Sequence, residues 1–136
     1  MTESLRTIAV GFDGSHDAET AVRWSMKLAS ETNANVVVVN AVGMLGRFDN
    51  PTVAFKLEDS VRRLADEYGL DTTRVTLHVD DGDACSVMMR MAEEPINASM
   101  LVVGSRGQGK HPGLLLGSTS LELAEHTTIP LVIVPS

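Results

Sequence analysis

Two short stretches of this chain combine glycines with hydroxyl and charged side chains: Gly11-Phe12-Asp13-Gly14-Ser15, and Gly104-Ser105-Arg106-Gly107-Gln108-Gly109. The second runs on to Gly117-Ser118-Thr119, so Gly104, Gly107 and Gly117-Ser118 fall in the spacing G-x2-G-x9-G-S. Glycine permits close backbone approach and unusual φ, which lets successive N–H groups turn toward one anion. A helix opening at Ser118 would add unpaired amides and the positive end of its dipole. The chemistry these residues suit is the cradling of a phosphate chain.

Gly104, Gly109 and Lys110 also fit the opening of G-x-x-x-x-G-K, but His111 stands where a Mg²⁺-binding hydroxyl belongs and Pro112-Gly113 interrupts the helix that should follow. A P-loop is therefore rejected. Lys110 and His111 are read as solvated loop charges. No Ser/His/Asp cluster and no pair of carboxylates in register can be assembled from the two loops, which points to binding rather than turnover. Cys85, the lone cysteine, cannot form an internal disulfide and reads as an inert, buried or half-buried thiol near a helix start. Four histidines at scattered positions give no metal-ligand spacing.

The net charge of −7 opposes nucleic acid and anionic membranes, so a phosphate ligand must find local donors. No apolar run reaches the roughly 18 to 20 residues that span a bilayer. Met1-Thr2-Glu3-Ser4-Leu5-Arg6 lacks the regions of a signal peptide, so a cytoplasmic location is expected.

Strand and helix periods alternate along the chain, the pattern of a parallel sheet covered by helices. Strands are expected at Leu5 to Phe12, Val36 to Asn40, Arg74 to Val79, Met100 to Val103 and Leu131 to Val134. Between them, Ser15 caps a helix with Ala18, Ala21, Val22, Ser25, Leu28, Ala29 and Thr32 on its inner face. A second helix turns Leu57, Val61, Leu64, Ala65 and Tyr68 inward and stops at Gly69. A third, capped by Asp83, carries Ala84, Val87, Met88, Met91 and Ala92 and ends at Pro95, its methionines read as core filler. A short helix spans Ser118 to His126. Residues 1–136 form one domain on this reading. Open sheets of this kind place ligands beyond the carboxyl ends of their strands, which is where both glycine-rich loops lie.

Taken together, Ile8-Ala9-Val10-Gly11-Phe12-Asp13-Gly14-Ser15, Gly82-Asp83, Leu101-Val102-Val103-Gly104-Ser105-Arg106-Gly107, Leu115-Leu116-Gly117-Ser118 and Ile129-Pro130-Leu131-Val132-Ile133-Val134-Pro135 resemble the ATP-binding branch of the universal stress protein family over nearly the whole chain. The resemblance implies a Rossmann-like five-stranded parallel sheet in the order 3-2-1-4-5 with helices on both faces. It also implies ATP, with or without magnesium, at the opening of strands one and four, and a homodimer paired through Leu131 to Val134. By the same resemblance Asp13 would reach the nucleoside or its metal, backbone at Ala41 and Val42 would read the adenine edge, and Val103 and Gly104 would flank the ribose. Arg106, Gly107, Gly117, Ser118 and Thr119 would surround the phosphates. Thr119 stands where a valine is usual, and Ser99 where an aspartate often precedes the fourth strand.

The function expected is that of an adenine-nucleotide-binding, stress-response regulator whose state a partner protein reads. A slow ATP hydrolase and a nucleotide-independent dimeric interaction module are the alternatives, with cyclic AMP or AMP as alternative ligands.

Overall fold

The computed structural model describes residues 6–42, 51–106 and 116–135. Gly107 and the Lys110-His111-Pro112 segment lie outside them. Along the chain come β1 (Thr7–Gly11), α1 (His16–Thr32), β2 (Asn35–Val42), α2 (Pro51–Glu67), β3 (Val75–Asp81), α3 (Ala84–Arg90), β4 (Met100–Gly104), α4 (Ser118–His126) and β5 (Leu131–Val134). The strands form one parallel sheet in the order β3-β2-β1-β4-β5. That order is the Rossmann-like one expected from the sequence.

Side chains alternate across the sheet and divide the core between its faces. Ile8, Val10, Val36, Val38 and Val102 pack with Ala21, Val22 and Met26 of α1 and Val61 and Leu64 of α2. On the other face Ala9, Val37, Val39, Leu101 and Val103 meet Cys85, Val87 and Met88 of α3 and Leu123 of α4. Strands buried on both faces explain the unbroken valine run in β2, where an alternating pattern would have left one face wet.

Several boundaries differ from expectation for reasons of tertiary structure. β2 runs on past Asn40 to Val42, and β3 runs to Asp81, because Ala41 pairs with Asp80 and Val42 with Asp81. Arg74 lies outside β3, and its guanidinium donates instead to the carbonyls of Ala29 (2.6 Å) and Ala34 (2.7 Å), anchoring the end of α1. In α1, Met26 and Asp17 are buried, while Leu28 is half-buried and Thr32 exposed. The third helix closes at Arg90, not at Pro95. Beyond it, the amides of Met91, Ala92 and Glu93 donate three residues back, to Met88, Met89 and Arg90, so the chain tightens into turns while Met91 stays in the core.

Candidate functional site

Helix starts in this fold are closed in two ways. At α1 the Ser15 hydroxyl accepts from the Ala18 amide at 3.2 Å, and at α3 the Asp83 carboxylate accepts from the Ser86 amide at 2.9 Å. That bond to the Ser86 amide, followed by one from the Ser86 hydroxyl, holds the Asp83 carboxyl below the usual carboxylate range. At α4 the capping position is Gly117, and among the described residues no side chain caps this helix. The Gly117 amide is used up on the Ser105 carbonyl at 2.7 Å. Helix geometry leaves the amides of Ser118, Thr119 and Ser120 without an acceptor in their own helix. These donors, with the dipole's positive end, form an anion-attracting corner.

That corner opens into a cavity of about 230 Å³ at the carboxyl ends of the strands. Gly11, Phe12 and Asp13 line it from the exit of β1, Val39 and Ala41 from β2, Val103, Gly104 and Arg106 from β4. Ala84 and Met88 of α3 and Ala18 of α1 complete the wall, together with Gly117, Ser118, Thr119 and Ser120 at α4. One end is therefore rich in amides, hydroxyls and a guanidinium, and the other is apolar.

Local bonds fix this geometry. The Asn40 side-chain amide donates to the Phe12 carbonyl at 2.9 Å, and the Phe12 amide donates to the Val39 carbonyl at 2.8 Å, tying the exit of β1 to β2. The Asp13 Oδ1 accepts from the Ser15 amide at 2.9 Å, turning the chain through Gly14 (φ 87°) into α1. On the far side, the buried Ser120 hydroxyl donates to the Gly104 carbonyl at 2.8 Å. A Cβ on Gly104 would fall 2.7 Å from the Asp17 carbonyl oxygen, so glycine is required there for α1 to approach β4.

Of the residues named from the sequence, Asp13, Ala41, Val103, Gly104, Arg106, Gly117, Ser118 and Thr119 are brought together around this one cavity. Val42 does not line it: the residue is buried, and its carbonyl accepts from the Gly82 amide at 3.0 Å. Sequence reasoning gave Gly11 and Phe12 only as part of the first glycine-rich stretch, and did not place Ala18, Val39, Ala84, Met88 or Ser120 at the site. The signal for Ala84 lay in the Gly82-Asp83 pair just before it. Met88, read as filler, belongs both to the core and to the cavity wall.

Among the described residues no three His, Cys, Asp or Glu side chains converge to hold a metal ion. A divalent cation at Asp13 would have to complete its shell with phosphate oxygens and water. Burial pushes the Cys85 thiol up, against the lowering that a helix start would give, so this is not an activated nucleophile.

Comparison with known proteins bears on the same geometry. The family model described as "Universal stress protein family" matches residues 4–135. A curated universal stress protein of Mycobacterium tuberculosis is 30% identical over 146 residues, covering 93% of this chain and 46% of its own length. The chain thus spans about half the length of the curated relatives it matches. Among solved structures, a universal stress protein in complex with cAMP superposes with a TM-score of 0.77 at 24% identity, covering 97% of this chain and 98% of its own. The universal stress protein of Archaeoglobus fulgidus in complex with dAMP gives 0.68 at 18% identity, covering 94% and 96%. With the sheet order, the motif spacing and a family match over almost its full length, the chain belongs to the universal stress protein family.

Proposed function

We propose that this protein binds an adenine nucleotide in the cavity between the ends of β1, β2 and β4, with ATP as the ligand, and acts as a nucleotide-responsive regulator in the stress response. The single observation that carries the reading is the uncapped start of α4, opening beside Arg106 into a cavity whose other end is apolar. A phosphate chain suits the first end and a base the second. The amides of Ser118 to Ser120, the hydroxyls of Ser118 and Thr119, and Gly107 would hold the phosphates. Asp13 would face the nucleoside or a phosphate-bound magnesium, Val103 and Gly104 the ribose, and backbone at Ala41 the adenine edge. Two fold relatives solved in complex with cAMP and with dAMP support the choice of an adenine nucleotide.

Equilibrium titration of purified protein with ATP, ADP, AMP and cyclic AMP tests this. Saturable binding of at least one is expected, with ATP tightest; no binding of any of them ends the reading.

The quaternary proposal is a homodimer. Among the described residues β5 pairs with β4 on one side only and ends the sheet, presenting a row of backbone groups that a second copy can continue. Sedimentation of nucleotide-free protein should give a dimer at micromolar concentration, and a monomer there removes the interface.

A further inference from the structure

β3 forms the rim of the sheet opposite β5 and, among the described residues, pairs with β2 alone. The Arg74 carbonyl accepts from the Val36 amide at 2.8 Å and the Gly82 amide donates to the Val42 carbonyl at 3.0 Å, which fixes the phase of the ladder between them. Backbone groups alternate in direction along a strand, so Thr76, His78 and Asp80 face β2 while Val75, Leu77, Val79 and Asp81 turn their amides and carbonyls outward. Bare strand edges are normally blunted by lysine, proline or a bulge. Between Val75 and Val79 this edge carries neither lysine nor proline, and its register against β2 runs unbroken. Its aliphatic side chains share one face: Val75 and Leu77 are half-buried against the core, and Val79 is 38% exposed.

The order of residues along this edge is self-complementary. Turned antiparallel about Leu77, a second β3 pairs Leu77 with its own counterpart, Val75 with Val79, Thr76 with His78 and Arg74 with Asp80. The outward groups at Val75, Leu77 and Val79 then fall where facing residues exchange both backbone bonds. Aliphatic meets aliphatic, and the basic end of one strand meets the acidic end of the other. An axis moved to Val79 would instead set Asp81 against Leu77.

We propose that β3 is a self-association surface, on which a second copy of this chain adds its own β3 antiparallel, in register about Leu77, to make one continuous sheet. This surface is separate from the nucleotide cavity and independent of it. Where β5 pairs as well, each chain carries a symmetric interface on both rims, and assembly continues past the dimer in a line.

The test combines sedimentation of ligand-free wild type and Val79→Lys, from micromolar to submillimolar concentration, with thiol cross-linking of Leu77→Cys and Thr76→Cys. Thermal unfolding of each protein is followed in parallel. In wild type the mean mass should grow with concentration beyond that of a dimer. Val79→Lys places a lysine on both sides of the two-fold axis, and should raise the concentration needed for that step about ten-fold or more while keeping the unfolding midpoint. A wild type that stops at a dimer dissolved by Val79→Lys assigns the dimer to β3 and removes the β5 pairing instead. Under oxidised glutathione Leu77→Cys should form a cross-linked dimer, since facing residues of that kind sit about 5.5 Å apart at Cα, within disulfide reach. Thr76→Cys, two positions out of register with its counterpart and beyond roughly 7 Å, should not. The buried Cys85 is common to both variants. Wild type that stays monomeric, association that a folded Val79→Lys leaves unchanged, or equal cross-linking of the two cysteine variants overturns the proposal. Should Val79→Lys not fold, the cross-linking decides.

Discussion

At Gly104 an added methyl would meet the Asp17 carbonyl oxygen at 2.7 Å and its carbonyl carbon at 2.9 Å, backbone atoms held in the first turn of α1. Gly104→Ala should therefore destabilise the protein by about 1–3 kcal/mol, the usual cost of overpacking, as read from urea unfolding midpoints. From the sequence this glycine looked like a donor to ligand, and its second duty only becomes visible once α1 is folded against β4. Ser118 and Ser120 separate binding from stability in the same way. Ser118 is exposed at the open helix start, so Ser118→Ala should remove one hydrogen bond to ligand, about 1 kcal/mol, and weaken ATP roughly five-fold in titration. Ser120 is buried with its hydroxyl on the Gly104 carbonyl, so Ser120→Ala leaves that acceptor without its partner and should lower folding stability by about 1–3 kcal/mol.

Among the elements, those with strong local signals were legible. Ser15 and Asp83 as caps, Gly69 closing α2 with φ 66°, and the limits of α4 and β5 all follow from local residue chemistry. What was not legible depended on distant partners: Asn40 looked like a strand end, whereas its side chain bonds across to Phe12 and the strand continues beside β3. Met88 could not be assigned to the cavity until the α3 side of the sheet was known. Of the candidate site, Asp13, Gly104, Arg106, Gly117, Ser118 and Thr119 on the cavity wall could be read from the glycine-rich stretches, while the α3 wall could not. Ser15→Ala should cost about 1 kcal/mol through loss of the α1 cap, measurable by denaturant unfolding. Asp83 adds a pH dependence of defined sign. Its folded-state carboxyl titrates below the ordinary range, mainly through the Ser86 amide, so its stabilisation is present above that range and lost as pH falls through the folded value. Asp83→Asn, which keeps a capping oxygen but no titrating group, should flatten the acid limb of the stability–pH curve relative to wild type.

Across the whole molecule, a net charge of −7 repels a polyphosphate while one corner attracts it. With a Debye length of about 10 Å at 0.1 M salt, added salt screens the distant repulsion more than the contacts inside the cavity. The ATP association rate should therefore rise as salt is added, with little change in dissociation, when measured by stopped flow.

Ser105 joins the glycine-capped helix to the outermost strand, since its amide donates to Val134 at 2.9 Å while its carbonyl accepts from Gly117 at 2.7 Å. A first turn awaiting an acceptor frays more readily than one already satisfied, and any fraying at Gly117 loosens the peptide that pins the end of β5. Filling the corner should thus slow amide exchange at Ser118 to Ser120 and also at Ser105, carrying occupancy toward the rim of the sheet as a change in stiffness without a rearrangement of shape.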